Sequence, residues 1–276
     1  MWDPSTYLRY GDERSRPFHD LLARVPAERP RAVVDLGCGP GTLTTTLAAR
    51  WPDSRISGLD SSAEMIAQAR AQTRVRSLAA AGTLAEVVTF SVGDVRSWRP
   101  EPDVDVVVCN AVLQWVPGHQ ELLARWVAEL PSGAWLAVQV PGNFAAPSHR
   151  SLRELAGHDR WRDTLAPLLR EAPVDDPVDY AALLAGTGCA VDAWETTYVH
   201  LLPAAAGADH PVLSWMEGTA LRPVRAALDA AGWADFRAEL GVRLAQAYPV
   251  RQGQVYFPFR RIFVVARTGA RAEENL

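Results

Sequence analysis

Ala32-Val33-Val34-Asp35-Leu36-Gly37-Cys38-Gly39-Pro40-Gly41 is the stretch whose reading decides the fold. A short β-branched run ends in an acid and passes into three alternate glycines, with a helix-compatible segment, Thr42 to Trp51, behind them. This is the opening of a βαβ unit. Glycines allow positive φ and close approach of a ligand to the backbone, and the following helix offers N–H groups that no carbonyl has taken. A dinucleotide loop spaces its glycines G-x-G-x-x-G, so that the third admits helix against strand while the helix start faces a pyrophosphate. Here the spacing is G-x-G-x-G with Asp35 ahead of it, which suits a ligand bearing an ammonium group better than one bearing a pyrophosphate.

Working outward, residues 31–140 alternate short β-branched runs with longer amphipathic segments, the pattern of a parallel sheet with helices packed on it. Strands are expected at Ala32 to Leu36, Arg55 to Asp60, Val87 to Val92, Val104 to Asn110 and Trp135 to Val140, with Val106-Val107-Val108 buried on both faces. Helices are expected from Gly41 to about Trp51, from Ser62 to about Thr73 with Ser61 or Ser62 as cap, and from Gln120 to Leu130. Residues 75–86 read as helix plus a Gly-broken turn outside the sheet.

After Pro141 the rhythm becomes helical, at about 148–170, 177–187 and 211–248, interrupted by strands at Val191 to Leu202 and Gln254 to Arg267. The expected architecture is α/β, a doubly wound, Rossmann-like seven-stranded sheet, mostly parallel with an antiparallel last strand, plus a helical cap. Its parts are an N-terminal helical lid segment (1–30), a binding core (31–140), a cap with an inserted sheet strand (141–253, strand 191–202), the final strand (254–267) and a flexible tail (268–276).

Ligands of open α/β sheets lie beyond the carboxyl ends of the strands. Asp60, about 20 residues past the loop, can accept both hydroxyls of a ribose, a feature shared with nicotinamide enzymes. Gly93-Asp94-Val95 can present a carboxylate to an adenine amino group, and Asn110-Ala111 opens towards the reacting centre. Four strand-end signals stand in order, and the glycine spacing, wrong for a dinucleotide, makes a nicotinamide dehydrogenase a distant alternative.

Composition narrows the partners. A formal charge of -4 and pI near 5.9 supply no field for phosphate backbones, so nucleic acid is not expected. All 28 basic residues are Arg, so any cationic pocket must be built from guanidinium forks, and no Lys is present to form a Schiff base. Cys38, Cys109 and Cys189 have neither metal-ligand spacing nor an even count, which fits a reducing cytoplasm and no metal. No apolar run approaches the ~20 residues of a membrane helix. A soluble, cytoplasmic monomer or weak homo-oligomer is the expectation.

These residues resemble the class I S-adenosylmethionine methyltransferases, and more narrowly the trans-aconitate 2-methyltransferases, over nearly the whole length. The likeness is carried by Trp2-Asp3-Pro4-Ser5-Thr6-Tyr7-Leu8, Glu13-Arg14-Ser15-Arg16-Pro17, Val34 to Gly41, Gly58-Leu59-Asp60-Ser61-Ser62-Ala63-Glu64-Met65-Ile66 and Asn110-Ala111-Val112-Leu113-Gln114-Trp115. Late segments join them: Val138-Gln139-Val140-Pro141, Thr196 to His200, Gly218 to Pro223 and Phe257 to Arg267. Two departures stand out, the long Val75 to Glu86 stretch and the Phe259-Arg260-Arg261 approach to the last strand, which leaves open which Arg faces a pocket.

The resemblance implies S-adenosylmethionine as cofactor and S-adenosylhomocysteine as product. The implied cofactor residues are Tyr7, Arg16, Asp35, Gly37, Cys38, Gly39, Thr42, Asp60, Ser61, Met65, Gly93, Asp94, Val95, Asn110, Ala111 and Trp115. A small polycarboxylate would meet Tyr7, Arg14, Arg16, Gln139, Tyr198, His200, Arg222, Arg260 and Arg261. The implied product is the monomethyl ester of trans-aconitate. An acceptor carboxylate is already ionised at neutral pH, so no base is required; Trp115, Tyr198 and His200 would orient the reactants. Alternatives are another small acid, a hydroxylated metabolite that would need His200 as base, and a nonenzymatic cofactor-binding module.

Plainer readings stand beside these. Cys38 packs under a ligand rather than reacting. His119 could be a base but reads more simply as a surface or hydrogen-bonded residue, His149, His158 and His210 face solvent, and Trp115 shares its weight with simple packing. Arg14 and Arg16 could equally form the solvated face of an N-terminal helix.

Overall fold

The computed structural model describes residues 11–79, 88–205 and 207–269, with residues 11–14 and 75–79 described by backbone alone. In chain order the elements are α1 (Gly11–Leu22), β1 (Ala32–Leu36), α2 (Leu47–Arg50), β2 (Arg55–Asp60), α3 (Ala63–Ala79), β3 (Val88–Val92) and β4 (Val104–Asn110). They continue with α4 (His119–Glu129), β5 (Trp135–Pro141), α5 (Pro147–Ala156), α6 (Arg162–Leu165), α7 (Pro177–Ala185) and β6 (Ala190–Pro203). Last come α8 (Pro211–Glu217), α9 (Arg222–Ala227), α10 (Ala230–Ala247) and β7 (Gln254–Arg267).

The strands form one sheet in the order β3-β2-β1-β4-β5-β7-β6. Pairs β1–β2, β1–β4, β2–β3 and β4–β5 are parallel, as expected of β-branched strands joined through helices. Strand β7 runs against β5: Thr268 N–H donates to Ala134 at one end, and Gly142 N–H donates to Arg260 at the other. Strand order reverses between β1 and β4, so the carboxyl ends of these two strands flank the ligand crevice of such a sheet.

By its internal packing the chain divides into two compact units. The core unit holds Ser15–Val140, Val174–Glu195 and Ile262 onward; the cap unit holds Pro141–Pro173 and Thr196–Arg261. In the core, Val106, Val107 and Val108 are fully buried, and β1, β4 and β5 pack with Leu123 and Trp126 of α4, Tyr180 and Leu184 of α7, and Ile262 and Val264 of β7. Full burial of each aliphatic side chain contributes roughly 1.5–3 kcal/mol. The cap has a core of its own, with Leu152, Trp161, Trp215, Phe236, Leu240, Phe257 and Phe259 at its centre.

Several helices differ from expectation. Gly41 to Trp51 is not one helix but a 3-10 turn (Thr44–Thr46) followed by the four-residue α2. The Thr45 and Thr46 hydroxyls donate to the carbonyls of Thr42 and Leu43, and such back-bonding competes with the α-helical ladder. Helix α3 runs to Ala79, past Thr73. The 148–170 segment breaks into α5, α6 and a 3-10 turn, and 211–248 breaks into three helices, the last capped by Asp229, which accepts from Gly232 N–H at 2.7 Å.

Candidate active site

The glycine loop is built by backbone geometry. Gly37, Gly39 and Gly41 all have positive φ (75°, 55° and 73°). A Cβ on Gly37 would lie 2.1 Å from a Val112 methyl, and one on Gly41 would strike Phe90, whereas one on Gly39 would meet nothing within 4 Å. The first and third glycines therefore make room for protein, and the second leaves room outside it. Gly37 and Cys38 both donate to Leu59 O, which fastens the loop to β2. Cys38 is buried, and burial followed by the charges of Asp35 and Asp60 pushes its thiol up, so it packs as a neutral small side chain.

Asp35 and Asp60 take different places around this loop. The Asp60 carboxylate accepts Gly39 N–H with one oxygen and Ser62 N–H with the other, both at 2.9 Å, so it orders the loop while keeping lone pairs for a ligand. Ser62, not Ser61, caps α3 by accepting Met65 N–H. Asp35 is 3% exposed and accepts the Thr44 hydroxyl at 2.6 Å. Burial pushes its pKa up to about 6, against the lowering effect of that hydrogen bond, and Asp60 adds to the rise.

At the end of β3, Asp94 is held by Arg96 through both carboxylate oxygens, and this partner keeps its pKa below the usual range. At the end of β4, Ala111 stands in the left-handed region at φ 58°, uncommon for a residue with a Cβ. Its N–H donates to Gln139 O at 2.8 Å and its carbonyl accepts Gln114 Nε2 at 2.6 Å, so the strained turn is fixed from both sides. Asn110 and Gln139 are register partners on β4 and β5. Trp115 is 53% exposed just beyond.

These residues fit an adenosyl cofactor with an amino-acid tail. Asp35 has no cationic partner among the described residues, Asn110 Oδ1 is a buried acceptor without a partner there, and the space over Gly39 is open. Thr42 donates to Gln72, Met65 and Gly93 are partly exposed, Ser61 is exposed, and Val95 packs into the core. Among the described residues no group of three or more His, Cys, Asp or Glu could hold a metal, and no helix is long and apolar enough to cross a membrane.

In the cap unit the alternation of strands decides which side chains are inside. On β6 Tyr198, His200 and Leu202 are buried while Val199 and Leu201 are exposed; on β7 Val255, Phe257, Phe259 and Arg261 are buried. Arg261 is thus the inward-facing arginine. Its guanidinium lies 4.5 Å over the Phe259 ring and the residue is 6% exposed. His200 stacks on Trp215 at 4.7 Å, and Trp215 also meets Phe257 and Phe259. Arg260 is half-buried; its N–H donates to Asn143 Oδ1 at 2.5 Å.

The remaining sequence candidates are scattered. Arg222 is exposed at the start of α9. Arg16 is exposed on α1 and pairs with Asp20. Tyr7, the Arg14 side chain and residues 80–86 of the long stretch lie outside the described residues. His119 is buried between Val116 O and the Tyr180 hydroxyl, and His158 is exposed beside Glu239. His149 and His210 are partly exposed and each has a protein partner. His149 sits edge-on to Phe144 and its pKa is pushed down to about 4 by burial and then by Arg153, while His210 is held by Tyr248 O. Thr44, Trp215 and Asn143 were not among the sequence candidates. Trp215 and Asn143 meet partners on other elements, and Thr44 meets Asp35 only because its segment turns instead of continuing as a helix, though the odd-numbered apolar residues of β7 already placed Arg261 on the Phe257–Phe259 face.

Comparison with known proteins bears on this geometry. A family profile described as a methyltransferase domain matches residues 33–133. Among solved structures, the YcgJ protein from Bacillus subtilis aligns with a TM-score of 0.56 at 14% identity over 91% of this chain and 99% of its own. The [4+2]-cyclase SpnF aligns at 0.51 and 16% over 92% and 81%, so likeness at this level shows the fold and not the reaction. Full-length sequence relatives say more. A trans-aconitate 2-methyltransferase of Rhodococcus jostii (strain RHA1) is 56% identical over 97% of this chain and 99% of its own, and one from Mycobacterium sp. (strain KMS) is 54% identical over 98% and 100%. With both cofactor core and cap shared along the whole length, the chain belongs to the trans-aconitate 2-methyltransferase family of S-adenosylmethionine-dependent methyltransferases.

Proposed function

We propose that this protein methylates one carboxylate of a small polycarboxylic acid, with trans-aconitate as acceptor and its monomethyl ester as product. When bound, S-adenosylmethionine supplies a methyl group activated by its sulfonium. Asp35 would hold the cofactor's ammonium, Asp60 the ribose hydroxyls and Asp94 the adenine amino group, with Gly37, Gly39 and the Asn110-Ala111 turn giving backbone access. Tyr7, Arg16, Cys38, Thr42, Ser61, Met65, Gly93, Val95 and Trp115 complete the assignment.

The observation that carries the acid assignment is the buried guanidinium of Arg261 on an aromatic wall. A buried carboxylate is strongly disfavoured unless paired, and a guanidinium can pair with it bidentately. Tyr198, His200, Arg260 and Gln139 are assigned to orientation of the acid, with Arg14 and Arg222 as further charged contacts. The reacting carboxylate needs no base because its pKa lies near 4 when unperturbed. Alignment and removal of water are then the work of the protein.

Labelled S-adenosylmethionine offered with a panel of polycarboxylates tests this reading. Ester should form on trans-aconitate above citrate, isocitrate and cis-aconitate. Methylation confined to a hydroxylated metabolite, with a rate rising steeply through about pH 7 and abolished by His200→Ala, would contradict it.

A further inference from the structure

The loop's carboxylate has a partner that the cofactor assignment does not use. Thr44 is fully buried, and its hydroxyl proton points at Asp35 Oδ2 over 2.6 Å. The turn that carries it is tied down: Thr45 N–H donates to Gly41 O, and the next two threonine hydroxyls donate to Thr42 O and Leu43 O. Against this, burial first and then the charge of Asp60 at the end of β2 resist the ionisation of Asp35, while Cys38 in the loop and Cys109 on β4 stay neutral beside it. No described residue sets a cation against it.

We propose that Thr44 is the positioning residue for Asp35, and that by donating to the ionised carboxylate it sets the pH at which Asp35 gives up its proton and the cofactor can bind. This rests on the reading of Asp35 as the acid that meets the cofactor's ammonium. In the free protein Asp35 is protonated in part near pH 6, where burial opposes its charge. An ammonium group favours the ionised form, so binding sends the carboxyl proton to solvent. A hydroxyl that donates to the charged form favours it too and fixes which oxygen is left for the ligand. Without the hydroxyl the carboxyl holds its proton to higher pH and its rotamer is no longer set.

The test is calorimetric binding of S-adenosylhomocysteine to the intact protein, from about pH 5 to 8, in two buffers of different ionisation enthalpy so that released protons are counted. Wild type should release a proton around pH 6. Thr44→Val should raise the pH midpoint of binding by about one unit and weaken affinity near pH 6 about tenfold, while Thr44→Ser restores the wild-type profile. Should Thr44→Val fail to fold by circular dichroism, Thr44→Ala carries the same expectation. In an Asp35→Asn background the proton release should vanish and Thr44→Val should no longer move the profile. A wild-type pH midpoint in Thr44→Val or Thr44→Ala would overturn the role of Thr44. No binding by wild type at any pH would instead overturn the cofactor reading, and this proposal with it.

Discussion

In the core unit the candidate ligand surface is made largely of backbone: three positive-φ glycines, a strained Ala111 and a loop sewn to Leu59 and Asp60. In the cap unit it is made of side chains: Arg261 on Phe259, and His200 on Trp215. The difference teaches where each unit tolerates change. A backbone-built surface fails when a Cβ is added, because there is no alternative rotamer for a peptide group. A surface of side chains on a packed sheet should lose one contact at a time and keep its fold.

The sharpest way to break this comparison is Gly37→Ala. Its Cβ would overlap Val112 at 2.1 Å in a left-handed conformation. Overpacking and φ strain together should destabilise the protein by about 3 kcal/mol or more in urea denaturation. A loss below about 1 kcal/mol would show that the loop yields and that its geometry is not fixed by the core.

Next comes Asp35→Asn, which separates binding from stability. A rise in folded pKa from 3.8 to about 6 corresponds to about 3 kcal/mol of cost for the ionised group. Because the folded pKa is raised, the stability linked to this group is present below about pH 4 and is lost as pH rises through about 6. Asp35→Asn should therefore stabilise the free protein at neutral pH, with little difference near pH 4, while weakening S-adenosylhomocysteine binding. Equal stability of variant and wild type at neutral pH would remove the buried-charge account.

Arg261→Ala should raise the Michaelis constant for trans-aconitate at least tenfold, about 1.4 kcal/mol or more. Arg222→Ala, at an exposed position, should have the smaller effect. Equal effects would return the acid to the α9 end of the cap.

At neutral pH the smallest expected effect is that of His149→Gln, which has the opposite proton linkage to Asp35. Burial holds the His149 pKa at about 4, below its ordinary 6.5, so its share of stability is present above about pH 6.5 and lost as pH falls through about 4. The variant should flatten the acid limb of the cap's stability by hydrogen exchange and leave the neutral region alone. An unchanged acid limb would mean that other groups govern it.

How much of this was legible in the sequence follows from range. Strands β1, β2, β4 and β7 have the bounds that β-branched runs suggest, because local composition sets them. The helix expected after Gly41 was not legible, since the outcome turned on where three hydroxyls would bond. Glycine spacing, an acid at a strand end and a ribose-distance acid are short-range signals, and they marked the cofactor candidates. The acid-binding candidates required knowing which face of a strand lies inward; period-two alternation through Val255, Phe257 and Phe259 contained that answer for Arg261. The stacking of Trp215 on His200 had no local signal among 10 tryptophans.

The division of labour between backbone loop and cap side chains is tested most directly by titrating S-adenosylhomocysteine into Gly39→Ala and Arg261→Ala proteins. Gly39 has open space around it, so the alanine leaves the core packing intact and costs only about 1–2 kcal/mol of backbone strain while filling the ligand's approach. The account predicts at least tenfold weaker binding in Gly39→Ala, and affinity within about twofold of wild type in Arg261→Ala. Equal weakening in the two variants, or undiminished binding in Gly39→Ala, would contradict it.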